Sequence, residues 1–226
     1  MKKYGIISLV IGGRRINMSE KNNEEMNASG WDAITEVFDK LYPNAEEMHY
    51  APDVYWELGG NEPLNGISVY DAGDYYHFIT YGLSELYEKE SDNKEYSGYG
   101  MEFTFKLKKD GLVDEKKEII NIYNYLQAIA RITFTNGTLF EQYQSLSLGK
   151  NEGIDVNKKS QITDFIMVPD SKCEGIDTPN GRVNFVCFVG VTKNEINAKT
   201  NKEMTVKELY DRIGTDITDY SRESTI

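Results

Sequence analysis

The run from Arg182 to Val191, RVNFVCFVGV, limits the possible folds more than any other stretch of the chain. It is apolar at most positions, so both of its faces need cover, which places it as a central strand of a sheet. A turn at Asn180-Gly181 introduces it. A second strand is read at Ile162 to Val168, closed by Pro169. The cleanest alternation lies at Tyr99 to Lys108, where Met101, Phe103, Phe105 and Leu107 interleave with Glu102, Thr104, Lys106 and Lys108. That period of two predicts a strand with one buried face and one wet face. Between His49 and Tyr81, short Val, Ile, Tyr and Phe runs separated by Gly59-Gly60, Asn65-Gly66 and Ala72-Gly73 suit further strands and tight turns.

Helical signals surround these strands. Ser29 with Asp32 resembles a capping box, and Trp31, Ile34, Phe38 and Leu41 recur at helical spacing until Pro43 stops them. Asp114 caps a longer helix whose Ile119, Tyr123, Leu126 and Ala130 share one face, widened by Ile122 and Ile129, and Asn136-Gly137 ends it. Thr192 with Glu195 and Thr205 with Glu208 are capping boxes that open two short helices, the last ended by Gly214. Strands and helices do not alternate strictly, and no internal repeat is present. The expected class is therefore α+β, a mixed sheet packed with helices in a single sandwich domain, and not a doubly wound fold.

The net charge of -12 is unevenly placed. From Trp31 to Asp92 there are fourteen acidic residues against Lys40 and Lys89, while the rest of the chain is neutral. Direct nucleic-acid binding needs a basic stripe, and only short clusters such as Lys106, Lys108 and Lys109 exist, so nucleic acid is not an expected partner. An acidic segment of this size serves solubility or meets a basic partner. No stretch approaches the roughly 18 uninterrupted apolar residues of a membrane-spanning helix. Cys173 and Cys187 build no disulfide framework, and with His49 and His77 they match no zinc spacing, so a reducing, cytoplasmic setting is expected. The first seventeen residues pair Lys2-Lys3 with an apolar stretch but lack a small-x-small cleavage site. They are read as a weak signal-like segment, an edge strand, a flexible extension, or an upstream start with Met18 as the true one. Residues 1–28 are taken as a flexible N-terminal extension and 29–226 as the domain.

Catalytic signals are sparse. Gly12-Gly13 and Gly59-Gly60 lack the Gly-Lys-Ser/Thr of a phosphate loop, and no G-x-G-x-x-G opens a helix. His77, flanked by aromatics, reads as a packed or hydrogen-bonded core residue; an enzyme reading pairs it with a carboxylate such as Asp74 in a hydrolase. Cys187 reads as a small buried hydrophobe. Cys173 lies in a polar loop beside Lys172, with no histidine near it in sequence. Sixteen tyrosines, several of them inside the acidic third, suit an interface. Acidic and aromatic residues without a catalytic set favour a binding protein, with Glu62, Asp71, Asp74, Tyr75 and Glu85 as the expected partner surface and no cofactor, metal or small-molecule ligand.

Several segments together resemble the suppressor of fused family: Gly30-Trp31, Leu41-Tyr42-Pro43, LGGNEPLNGISVY from Leu58, HFITYGLSELY from His77, SGYGMEFTFKLKK from Ser97 and TPNGRVNFVCFVGV from Thr178. They lie in the family's order at similar spacing, from about Ser29 to Ile217. The resemblance implies a mixed α/β domain that binds another protein without a cofactor or catalytic residues. Animal members carry a second domain and clamp a transcription-factor peptide between the two, whereas this chain is expected to correspond to the first domain alone. Where they have a ligand-gripping Gly-Asp-His turn, this sequence has Phe140-Glu141-Gln142-Tyr143-Gln144, so that ligand is not carried over. Stand-alone members of this size resemble bacterial immunity or antitoxin proteins that neutralise toxins, often nucleases. The resemblance thus implies an immunity protein for a basic toxin domain, with a regulatory module for another cytoplasmic protein as the alternative.

Overall fold

The structure, a computed structural model, describes Val10–Ile11, Arg14–Arg15 and residues 27–226. Strands β1 (Val10–Ile11) and β2 (Arg14–Arg15) pair antiparallel with each other. The other residues of the expected N-terminal extension before Asn27 lie outside the described ones, and with them the signal-like and alternative-start readings.

From residue 27 onward the order is α1 (Ser29–Leu41), β3 (Glu47–Tyr50), β4 (Gly66–Asp71), β5 (Tyr75–Tyr81), β6 (Tyr96–Lys108), α2 (Glu115–Asn136), β7 (Ser145–Leu146), β8 (Ile162–Pro169), β9 (Gly175–Thr178), β10 (Gly181–Thr192), α3 (Lys193–Thr200), α4 (Val206–Ile213) and β11 (Ile217–Thr218). One sheet runs β3-β4-β5-β6-β10-β8-β7, with β11 on β6 and β9 on β10. The apolar strand β10 is central: it lies parallel to β6 and antiparallel to β8 and β9. This mixed sheet with four helices is the α+β class that the sequence indicates. Among the described residues no helix is long and apolar enough to cross a membrane.

Side-chain alternation assigns the helices to faces. The apolar stripe of α2, including Ile119, Ile122, Leu126 and Ala130, packs on Phe78, Phe103, Phe105 and Phe188. On the opposite face, Ile34 and Phe38 of α1 cover Ile79, Tyr81 and Phe185. Beside them, Ile196 of α3 with Val206 and Leu209 of α4 covers Val168, Cys187, Val189 and Val191. Caps read from sequence are present on three helices. Asp114 accepts from the Lys117 amide, and Thr192/Glu195 and Thr205/Glu208 both close reciprocal boxes. The expected Ser29 cap is absent: Ser29 is already helical, Ala28 precedes it without a side-chain cap, and Asn27 Oδ1 accepts the Ser29 amide at 3.2 Å.

The larger correction concerns β6, whose second face is not wet. Glu102, Thr104 and Lys106 are all 0% exposed, because the α1, α3 and α4 layer covers the face on which they sit. Only Lys108, at the strand end, reaches out, and it pairs with Asp219 at 2.8 Å. Burying a lysine and a carboxylate on a sheet face requires partners within hydrogen-bond reach, and that requirement shapes the polar interior on this side of the sheet.

Candidate protein-binding groove

The β6–β10 ladder steps from Met101↔Asn184 to Tyr96↔Arg182, so the SGYG residues 97–100 bulge out of the sheet opposite a single residue. Gly98 (φ 54°) and Gly100 (φ 73°) make this possible, since both hold left-handed backbone. A Cβ on Gly98 would also meet the Leu83 carbonyl at 2.9 Å. The bulge opens a groove of about 790 Å³ between itself, segment 139–143 and the start of β10. Its rim carries Tyr99, Leu139 and Tyr143, which are 37%, 48% and 43% exposed, beside buried Met101, Phe140 and Val186. Charged groups at the rim are Glu141, Glu174 and Arg182. Exposed aromatic side chains around an apolar floor form the kind of surface that buries area with few rotamers to freeze.

Two buried or nearly buried glutamates fix this rim. Glu102 Oε1 accepts from the amides of Gly82, Leu83 and Ser84 at 2.9–3.0 Å and from Ser84 Oγ at 2.7 Å, while Oε2 accepts from Thr80 Oγ1 at 2.6 Å. The Leu83 carbonyl, turned the other way, accepts the Tyr99 amide of the bulge at 2.8 Å. Glu85 accepts from the amides of Glu90, Ser91 and Gly98 and from Lys89 Nζ. Burial would raise its carboxyl, yet Lys89 and these amides outweigh it and hold Glu85 down to about 2. The GLS and SGYG tracts thus meet through backbone contacts, which explains their tight glycine-rich chemistry.

Behind the groove, on the α1 face, lies a closed polar centre. Asp170 accepts from His77 Nε2 (2.9 Å), Thr104 Oγ1 (2.6 Å) and Lys106 Nζ (2.7 Å), and Lys106 also reaches Asp216 at 2.5 Å. Tyr42 Oη lies 2.7 Å from His77 Nδ1 and 3.2 Å from Tyr75 Oη. An ionised Asp170 can only accept, so His77 carries its proton on Nε2 and its Nδ1 accepts from Tyr42. Every group is then satisfied with a neutral imidazole. Burial lowers the His77 pKa, outweighing the pull of Asp170 in the other direction. For Asp170 burial is outweighed in turn by His77 and Lys106, which hold its carboxyl well below the usual range. Asp170, Cys187 and Asp216 offer metal-type ligand atoms within 4.8 Å of one another. The Lys106 ammonium already supplies the cation there, and burial holds the Cys187 thiol protonated.

The five expected surface residues are not gathered into one patch. Asp71 and Asp74 are exposed at the β4–β5 hairpin, where Asp71 pairs with Lys109 at 2.5 Å. Glu62 accepts from Tyr123 Oη at 3.0 Å near the far end of the same strands. Gly66↔Tyr81 and Asp71↔Tyr76 mark those two ends, five residues or about 17 Å apart. Tyr75 is only 9% exposed and turns its hydroxyl to Tyr42, and Glu85 is committed to the loop it holds. His77 is paired with Asp170 and not with Asp74. A second arrangement, Ser68 with His49 and Glu47, looks like a nucleophile set, but Ser68 Oγ donates to Glu47 at 2.5 Å while His49 Nδ1 sits 2.9 Å away as the donor to it. The histidine is thus not placed to take the serine proton.

The Suppressor of fused protein (SUFU) family profile matches residues 60–223. The chain belongs to the suppressor of fused family. It is 28% identical over 187 residues to the human Suppressor of fused homolog, covering 75% of this chain but 37% of that protein, and the mouse homolog matches equally. The chain therefore spans a little over a third of the curated relatives' length. Among solved structures it resembles one chain of the Sufu-Fu complex, with a TM-score of 0.74, 25% identity, and 88% and 93% of the two chains covered. Drosophila Suppressor of Fused gives a TM-score of 0.74 at 23% identity, over 91% of this chain and 54% of that one. A Neisseria gonorrhoeae SUFU homolog shares the fold at 0.56 and 15%, with 87% and 97% covered. In this suppressor of fused domain, Phe140 to Tyr143, part of the segment expected to depart from the family's ligand-gripping turn, line a wall of the groove. The sequence carried that signal as a departure from family pattern, but not its position beside the SGYG bulge.

Proposed function

We propose that this domain is a non-catalytic, cytoplasmic binding protein that seats a segment of a partner polypeptide in the groove between the SGYG bulge and residues 139–143. The observation that carries this reading is the ring of exposed Tyr99, Leu139 and Tyr143 over a buried apolar floor, held rigid by Glu102 and Glu85. A related chain has been solved as the Sufu-Fu complex, which supports protein binding as the family's mode of action. The burial of His77 in a fully satisfied network supports the absence of catalysis at that residue.

The partner we favour is a basic toxin domain, which makes the protein an immunity factor. The acidic excess from residue 31 to residue 92 suits a positively charged partner and its steering on approach. A tagged pull-down washed at low and then high salt, with mass spectrometry of the eluates, tests this. A basic nuclease-like polypeptide released by salt is the expected result; an ordinary regulatory protein would replace the immunity reading with that of a regulatory module. With the partner in hand, Tyr99→Ala combined with Tyr143→Ala is expected to weaken binding by about a hundredfold. Both side chains are substantially exposed, so the thermal midpoint should hold. Undiminished affinity would move the interface elsewhere.

A further inference from the structure

Between Lys2 and Arg15 the chain has four basic residues and no acidic one, with Lys2-Lys3 and Arg14-Arg15 on either side of the apolar run Ile6-Ile7-Ser8-Leu9-Val10-Ile11. Residues 31–92 are the reverse, with fourteen acids against two lysines. Strands β1 and β2 bring the two halves of the N-terminal pattern together, Val10 opposite Arg15 and Ile11 opposite Arg14. They form a sheet of their own, with no strand of the main sheet beside them. A two-stranded pair is marginal alone in water and gains stability where an apolar face is covered. An apolar run with cations at both ends is best covered by a surface that is apolar and edged with acids.

The groove between the SGYG bulge and residues 139–143 has that chemistry. Tyr99, Leu139 and Tyr143 stand exposed around its apolar floor, and Glu141 and Glu174 are exposed acids at its rim. Arg182, the basic residue there, turns its guanidinium to Asn184 and Asp177. The N-terminal segment also enters the domain close by. The Trp31 amide of α1 donates to the Leu86 carbonyl at 3.0 Å, and the adjacent Glu85 accepts the Gly98 amide of the bulge at 3.0 Å. Thirteen residues separate Arg15 from Ser29, enough to span up to about 45 Å, so the groove is within reach of residues 2–15.

We propose that residues 2–15 occupy this groove in the free protein, with residues 6–11 on its apolar floor and the flanking lysines and arginines toward Glu141 and Glu174, so that a partner must displace the chain's own N-terminal segment. Competition with the partner rests on the reading of this groove as the partner's seat; occupancy itself does not. A tethered segment acts at an effective concentration of about 1 mM, so a contact with a dissociation constant of only about 100 µM keeps the groove about nine-tenths filled. Partner affinity is then about tenfold below that of the open groove, and loss of the segment's apolar run restores it.

Amide hydrogen exchange is compared between the wild-type full chain and the full chain carrying Ile7→Asp with Leu9→Asp, substitutions outside the described core clusters. Amides of residues 98–100 and 139–143 are expected to exchange about tenfold faster in the variant, with β10 unchanged. A fluorescein-labelled peptide of residues 1–17 should bind the variant and bind the wild type about tenfold more weakly. Adding Tyr99→Ala and Tyr143→Ala to the variant should weaken the peptide at least about tenfold. Equal exchange in the two chains, or absence of peptide binding, would overturn the proposal. Protection that grows with protein concentration would overturn it too, since the segment would then lie on a second copy. The two readings fail separately. A partner that needs Tyr99 and Tyr143 yet binds wild type and the Ile7→Asp/Leu9→Asp variant equally would overturn the competition and keep the groove as its seat. A partner indifferent to both tyrosines would remove the groove as its seat, while tenfold faster exchange in the variant would still support occupancy by residues 2–15.

Discussion

Lys106→Met is expected to destabilise the domain by about 3–5 kcal/mol, because it strands two buried carboxylates. The ammonium is the shared partner of Asp170 and Asp216, at 2.7 and 2.5 Å, and all three side chains are almost wholly excluded from water. A methionine fills the volume but leaves Asp170 with His77, Thr104 and backbone donors and no full positive charge. Against a total stability of roughly 5–15 kcal/mol, the loss should lower the urea midpoint by at least about a fifth, with little change in slope. The pH dependence separates charge from packing. In the wild type, the lowered His77 and Asp170 pKa values mean that stability is complete above the unfolded values of 6.5 and 3.8 and is lost as pH falls through the lower folded ones. In the variant, carboxylates without their cation take up protons more readily, so the deficit against wild type should shrink on acidification. A deficit that stays constant with pH, or one below about 1 kcal/mol, would show that packing and not charge is what Lys106 supplies.

The same centre shows why part of the molecule is legible in the sequence and part is not. α2, β8, β10 and the two C-terminal helices announce themselves through period, caps and terminal glycines, and the structure holds them within a residue or two of those signals. The two-to-four-residue strands β7, β9 and β11 are too short to carry a period; they exist because longer neighbours offer them an edge. Glu102, Thr104 and Lys106 alternate with apolar residues in the same way whether their face meets water or a polar core. Only their partners tell the two cases apart, and those lie far along the chain: Asp170 is 64 residues from Lys106 and 93 from His77, and Asp216 is 110 from Lys106. The expected acidic surface failed to converge for a related reason. Charge counted along a segment says nothing about which strand end each residue neighbours, and Glu62 lies in the segment before β4 while Asp71 is the last residue of that strand.

The groove depends on one residue of that misread face. Glu102→Ala is expected to cost at least about 3 kcal/mol, since it leaves the Gly82, Leu83 and Ser84 amides and two hydroxyls without their acceptor and opens a cavity as well. Hydrogen exchange at those three amides should accelerate by about a hundredfold or more, beyond any change in the core of β10. The Tyr99 amide hangs on the Leu83 carbonyl, so release of the loop should loosen the SGYG bulge and weaken partner binding together with it. Glu102→Gln keeps an acceptor for the three amides and is expected to cost about 1 kcal/mol near neutral pH. Burial outweighs the five donors and pushes the Glu102 carboxyl up to about 7 from its ordinary 4.5. An acid whose folded pKa exceeds its unfolded one contributes stability that is complete below the unfolded value and lost as pH rises through the folded value. Wild type should therefore lose up to about 3 kcal/mol relative to Glu102→Gln between those limits. Urea titrations of both proteins across that range measure the difference directly. A flat difference would mean that the five donors, and not burial, set the charge of Glu102, and that the loop is pinned by a carboxylate at every pH where the domain folds.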